Sequence, residues 1–192
     1  MKKEDIKSFF DECASDWDAG IVRNEEIITA ILDNSGIKKG IRLLDVACGT
    51  GVLFPDYYNR QVASVTGIDI SEKMVEIAKK KFPETEIICA DAEEVRFEKP
   101  FDAVMIYNAF PHFPNPEKLI KAMAENLKTG GILSVAHSMS REALEKHHSG
   151  RAKNVSVILP EAQELARMLE PFFDVGLVIS NSLMYQVCGK KK

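Results

Sequence analysis

Apolar residues recur along this chain in two periods, and the alternation between them lays out the fold. Ile6, Phe9, Phe10, Cys13 and Ala14 fall at helical spacings within 3–19. Ile27, Ile28, Ile31 and Leu32 mark one face of a second helix over 21–34, which Asn34-Ser35-Gly36 ends. Short aliphatic runs then take over at 41–46, 64–70, 85–90, 101–107 and 132–137 and read as strands. Helical patterns lie between them at 52–60, 72–81 and 117–127, with Ser71 as an N-cap for the second. Lys128-Thr129-Gly130-Gly131 reads as a turn before the fifth strand. Beyond 138 come a helical stretch near 140–148, a helix at 160–170, and β segments at 172–180 and 182–188 joined by Asn181-Ser182. Strands alternating with helices of this length predict an α/β fold, a parallel sheet covered on both faces. The nearly continuous apolar run 101–107 belongs at its centre.

The first strand opens into the densest stretch of candidate chemistry, Leu43-Leu44-Asp45-Val46-Ala47-Cys48-Gly49-Thr50-Gly51. Gly49 and Gly51 let the backbone bend tightly and approach a ligand with no Cβ in the way. Val52-Leu53-Phe54 starts a helical pattern, so a strand, a glycine bend and a helix start come together as in a nucleotide-cofactor site. The dinucleotide fingerprint needs a third small residue where this chain has Phe54, which argues against NAD or FAD. Ser64-Val65-Thr66-Gly67-Ile68-Asp69 is a second strand ending in an acid, and a carboxylate there can accept from both hydroxyls of a ribose.

With Gly67-Ile68-Asp69-Ile70-Ser71 following the first motif, and Ala90-Asp91-Ala92 following the third strand, the chain resembles the class I S-adenosylmethionine-dependent methyltransferases. The ordered match covers roughly residues 40–137. The resemblance implies a doubly wound, Rossmann-like, seven-stranded and mostly parallel sheet with an antiparallel last strand. It implies S-adenosyl-L-methionine as cofactor, leaving as S-adenosyl-L-homocysteine. The positions it points to are Asp45, Ala47, Gly49, Gly51, Asp69, Ile70, Met74, Asp91, Ala92 and Asn108. Asp69 goes to the ribose, Asp91 to the adenine amino group, Met74 against the adenine, and Asp45 to the glycine bend and the methionine amino end. In the family, a segment like Phe9-Phe10-Asp11-x-x-Ala14-x-x-Trp17-Asp18 often closes over the cofactor, which adds Trp17. A helix simply packed on the sheet, with Trp17 as anchor, is the alternative.

The acceptor side is less legible. Family members that methylate exocyclic or amide nitrogens usually carry Asn/Asp-Pro-Pro-aromatic after the fourth strand; this chain has Asn108-Ala109-Phe110-Pro111. That lowers nucleic-acid amino methylation. His112, shortly afterwards, has the intrinsic pKa of a general base at neutral pH. His137 at the end of the fifth strand and His147 beyond it are the other catalytic candidates, with Arg141 able to pair with an anionic group. His147 and His148 are adjacent and face different sides of a helix, so no metal is expected.

At 192 residues with 45% apolar and 28% charged content, the chain reads as one globular domain. The expected division is a lid or cap at 1–36, a cofactor core at 37–137, and acceptor-side helices with a closing hairpin at 138–192. A net charge of −4 supplies no global attraction to nucleic acid or anionic lipid. No signal-peptide pattern or membrane-length apolar run is present, and four scattered cysteines suit a reducing cytoplasm. The expected activity is methyl transfer to a small molecule, with a mild preference for sulfur or oxygen, by a cytoplasmic monomer or homodimer acting on neither nucleic acid nor membrane. The competing readings are an RNA or protein methyltransferase working with a partner, and a cofactor-binding regulatory domain without turnover.

Overall fold

The computed structural model describes residues 1–148 and 150–192, without the side chains of His147, His148 and Arg151. Seven strands form one sheet in the order β3-β2-β1-β4-β5-β7-β6: β1 Arg42–Val46, β2 Ser64–Asp69, β3 Glu86–Cys89, β4 Phe101–Tyr107, β5 Leu127–His137, β6 Phe173–Ser180 and β7 Tyr185–Lys191. β1 pairs in parallel with β2 and β4, β2 with β3, and β4 with β5, while β7 runs antiparallel between β5 and β6. The doubly wound expectation therefore holds, including the reversed last strand.

Alternate residues of the central strands enter two apolar clusters, one on each face of the sheet. Leu44, Val46, Val104 and Ile106 pack with α5 (Pro116–Asn126) and α7 (Ala162–Leu169). Leu43, Ala103 and Met105 pack with α2 (Glu25–Asn34) and with Phe54 and Tyr57 of α3 (Phe54–Asn59). A strand buried on both faces has no polar side to show, which is why β4 reads as a continuous apolar run.

Four boundaries differ from the sequence reading by three residues or more, one of them the last strand, which runs Tyr185–Lys191 rather than over 182–188. The first helix stops as α1 at Lys3–Cys13 and continues as 3-10 turns over Ala14–Asp16 and Asp18–Gly20. The second begins at Glu25 rather than 21, because Asn24 is extended and its side chain accepts from the Ile27 N–H at 3.1 Å, a cap that fixes the helix start. The glycine turn at 128–131 is an irregular stretch inside β5: Phe101 pairs with Leu127 and Ala103 with Ile132, with Gly130 at φ 82° absorbing the offset.

The remaining helices, α4 (Glu72–Lys81) and α6 (Arg141–His148), bear on the site through their neighbours. Ser71 caps α4 by accepting from the Met74 N–H at 3.1 Å and donates its own hydroxyl to Asp11 at 2.6 Å, fastening α1 to the loop after β2. Among the described residues no helix is long and apolar enough to cross a membrane.

Candidate active site

The carboxyl ends of β1, β2, β3 and β4 open into one cavity of about 160 Å³, roofed by the first twenty-odd residues. In a doubly wound sheet this is where strand order reverses and loops part, leaving room for a ligand. Gly49 (φ 54°) and Gly51 (φ 84°) make the bend after β1. Gly49 is on the wall; Gly51 is not, and serves packing instead. A Cβ on Gly51 would lie 2.8 Å from both the Phe54 and the Phe82 rings.

Asp69 closes β2 with its carboxylate turned to the cavity, 7% exposed. The Gly49 N–H donates to its Oδ2 at 2.9 Å and the Ser71 N–H to its Oδ1 at 2.8 Å. Each oxygen keeps a further lone pair, which is what two ribose hydroxyls require. Burial pushes the carboxyl up to about 6, while the Ser71 and Gly49 N–H groups pull the other way. Asp45 is also buried, 2% exposed, but does not line the cavity. Burial drives its carboxyl up to about 8, eased by the Tyr57 hydroxyl and reinforced by the Asp69 charge. Asp45 therefore stands behind the bend rather than on the cavity wall. Burial thus pushes both carboxyls up, Asp45 further than Asp69, whose oxygens accept from two backbone N–H groups.

Two non-glycine residues on the wall, Ala47 (φ 54°) and Asn108 (φ 53°), sit in the left-handed region. Such conformations cost about 1–3 kcal/mol each and persist only where the surroundings enforce them. For Asn108 the enforcement is visible. Its Nδ2 donates to the Ser138 hydroxyl at 3.2 Å and its Oδ1 accepts from the Ser138 N–H at 3.0 Å, joining the ends of β4 and β5.

The roof is tied down by polar contacts more than by apolar ones; of α1 only Ile6 is fully buried. Lys3 Nζ lies 2.5 Å from Asp91 and 2.6 Å from Glu93. Partial burial works against the Lys3 ammonium, but the two carboxylates outweigh it and raise its pKa. Asp11 also accepts from the Lys73 N–H at 3.2 Å. Asp18 accepts from the Thr50 hydroxyl at 2.5 Å and pairs with Lys81 at 2.7 Å. Every one of these ties ends on the loops after β1, β2 or β3, or on α4.

His112 stands on the wall opposite the glycine bend. Its Nδ1 is 2.8 Å from the Val155 carbonyl. A carbonyl only accepts, so Nδ1 carries the proton and Nε2 keeps a lone pair in the neutral ring. The Phe10 ring meets it edge-on at 4.9 Å and meets Trp17 at 5.6 Å. Trp17, Ile70, Met74, Asp91 and Ala92 also line the cavity. His137 does not: it is wholly buried at the end of β5, edge-on to Tyr185 at 6.0 Å. The His147 side chain lies outside the described residues. Arg141 is spent on the fold, with Nε donating to the Leu159 carbonyl at 2.8 Å and ion pairs to Glu145 and Glu161.

Sequence reading missed Lys3, Arg23, Glu93, Tyr107 and Phe113 as wall residues. Glu93, 1% exposed, stood two places beyond Asp91 and was within reach of motif reasoning. Arg23 and Tyr107 gave no local signal. They meet only because the segment before α2 crosses the mouth of β4.

Residues 44–135 match the methyltransferase domain family. The chain is 30% identical over 144 residues to a ubiquinone biosynthesis O-methyltransferase of Coxiella burnetii, covering 69% of this chain and 61% of that protein. It is 29% identical over 139 residues to a malonyl-[acyl-carrier protein] O-methyltransferase of Acetivibrio thermocellus, covering 70% and 49%. The chain thus spans about half to three-fifths of the curated relatives it matches. Among solved structures it superposes on the magnesium protoporphyrin IX methyltransferase of Synechocystis with bound S-adenosylhomocysteine, at TM-score 0.76, 16% identity and 99% coverage of both chains.

Proposed function

The chain carries a class I S-adenosylmethionine-dependent methyltransferase domain, and from that premise we propose that it methylates a small-molecule acceptor on oxygen or sulfur, with His112 as general base. One observation carries the reading: the glycine bend and Asp69 share a single cavity with His112. The residues fit the cofactor. Asp69 has acceptor capacity left for the ribose, Asp91 is on the same wall for the adenine amino group that the resemblance assigns to it, and Ala47 and Gly49 bring backbone to the wall with little side chain in the way.

When bound, S-adenosylmethionine supplies a methyl on a sulfonium; its carbon–sulfur bond breaks as the acceptor–carbon bond forms, the electron pair stays on sulfur, and the acceptor's proton goes to a base. The protein's work is to align the two partners and keep water out. Asp69 holds the sugar and, through Gly49, keeps the bend in place. The Val155 carbonyl fixes the His112 tautomer so that Nε2 can take the proton. The first twenty residues form a cover whose polar ties to the cofactor loops let it open and reseal. The four cysteines are all outside disulfides, in keeping with a cytoplasmic home.

The test is a donor-labelled screen of small thiols, phenols, amines and carboxylates, read by mass spectrometry for one added methyl. The expected result is label on a phenol or thiol. Label on none of them, with S-adenosylhomocysteine still bound tightly, would remove the enzymatic reading in favour of a cofactor-binding regulatory domain.

A further inference from the structure

We propose that Lys3, in the first turn of the cover, is a positioning residue for the cofactor's adenine: it fixes the Asp91 carboxylate that takes the 6-amino group. The inference rests on the cofactor reading above and adds to it a residue that none of the strand-end loops contains. Lys3 opens α1 and lies one turn before Ile6, at the i, i+3 spacing that puts two side chains on one helix face. Ile6 is the residue of α1 that is fully buried, and it lines the cavity together with Lys3. The apolar docking of the helix thus delivers the ammonium to the cavity wall.

The anchor of the arrangement is Glu93. Its side chain is wholly buried, with Oε1 accepting from the Asn115 N–H and Oε2 from the Asn115 Nδ2, both at 3.1 Å. Lys3 Nζ stands 2.6 Å from Glu93 Oε2 and 2.5 Å from Asp91 Oδ2. Asp91 Oδ1 accepts from the Glu93 N–H at 2.9 Å. One oxygen of Asp91 is therefore held by the backbone of its own loop and the other by the cover. A carboxylate has lone pairs enough to accept one donor on each oxygen and still accept from an amino group. Both carboxylates reach the same nitrogen, so they stand close together, and like charges so placed repel unless a cation is shared between them. Without the ammonium, Glu93 stays where Asn115 holds it. Asp91, with 28% of its side chain exposed, is the one that turns toward water. Lys3 acts on the adenine through Asp91, by setting the acceptor in place before the ligand arrives, which spares binding that ordering cost.

Calorimetry with two ligands tests this without turnover. One is S-adenosylhomocysteine, and the other is the same molecule with hydrogen in place of the 6-amino group. The unaltered protein is expected to prefer the first about tenfold or more, the scale of one hydrogen bond to a charged group. Lys3→Met is expected to shrink that preference to below about threefold, and Lys3→Arg, which keeps a cation there, to retain most of it. Lys7→Met is the control for a loosened cover. Lys7 pairs with Asp11 at 2.8 Å, away from the cavity wall, so its loss should leave the preference unchanged. A preference that survives or grows in Lys3→Met overturns the inference even if both affinities fall, since a mere tie on the cover weakens the two ligands alike. An equal narrowing in Lys7→Met overturns it as well. An unaltered protein that binds both ligands equally removes the amino-group role of Asp91 and the inference with it. Failure of S-adenosylhomocysteine itself to bind would instead overturn the cofactor reading.

Discussion

The two walls of the cavity are built by different means. The cofactor wall comes from three consecutive strand ends, and its contacts run within a strand-end loop, as Asp69 to Ser71 and Glu93 to Asp91, or between neighbouring strand ends, as Gly49 to Asp69. Much of it is backbone, held by N–H groups and left-handed glycines. The acceptor wall is assembled from the segment around 10–23, the loop after β4 and the stretch near 155, which adjoin only in the folded chain. Backbone geometry constrains sequence tightly, whereas a wall of side chains can be remade by many residues. The first wall is therefore the same machine for any acceptor, and the second is where an enzyme of this fold acquires its specificity.

Substitutions can break this contrast, and the largest effect is expected at the bend. Gly51→Ala places a Cβ 2.8 Å from Phe54 and Phe82 at φ 84°, so it should cost about 2–4 kcal/mol of stability, read by urea unfolding. A loss under about 1 kcal/mol would show that the bend can relax. Next comes His112→Ala, which should lower turnover on a phenolic acceptor about 100-fold while leaving S-adenosylhomocysteine affinity within about twofold. Comparable losses in both would mean that the walls are not separable.

Asp69→Ala makes the reciprocal cut. S-adenosylhomocysteine binding should weaken by about 1.5–3 kcal/mol in calorimetry, with the His112 side of the cavity left intact. The smallest effect sharpens the contrast within the cofactor wall. Asp45 has a folded-state pKa of about 8, above its unfolded value, so the native state binds the extra proton between those limits and stability falls as pH rises through them. Asp45→Asn removes that loss, and its gain in melting temperature over the unaltered protein should grow from pH 5 to about pH 9. Asp69, whose folded pKa is about 6, gives the matching expectation for binding: S-adenosylhomocysteine affinity should decline as pH drops below about 6 and the ribose acceptor becomes protonated.

Periodicity and a few glycines were enough to lay out most of this protein. The 3.6 and 2 periods located each strand and α-helix among the described residues, with ends off by up to six residues, because burial on one or both faces leaves a repeating apolar mark. The misplacements fall where a single side chain or a kink overrides the period: the Asn24 cap and the bulge at the start of β5. The cofactor wall was readable for the same reason, since a tight bend demands glycine and a ribose demands an acid at a strand end. Only the tertiary structure could decide the rest. His112 and His137 are alike in sequence, each lying close after an apolar strand or at its end, yet one lines the cavity and the other is sealed against Tyr185. Arg23 gives no local signal, and only the folded chain sets it between Glu25 and Asp56 at the cavity wall. Local pattern records which residues are buried and where the chain must bend. What a buried side chain faces depends on partners from distant segments, and no local pattern contains that information.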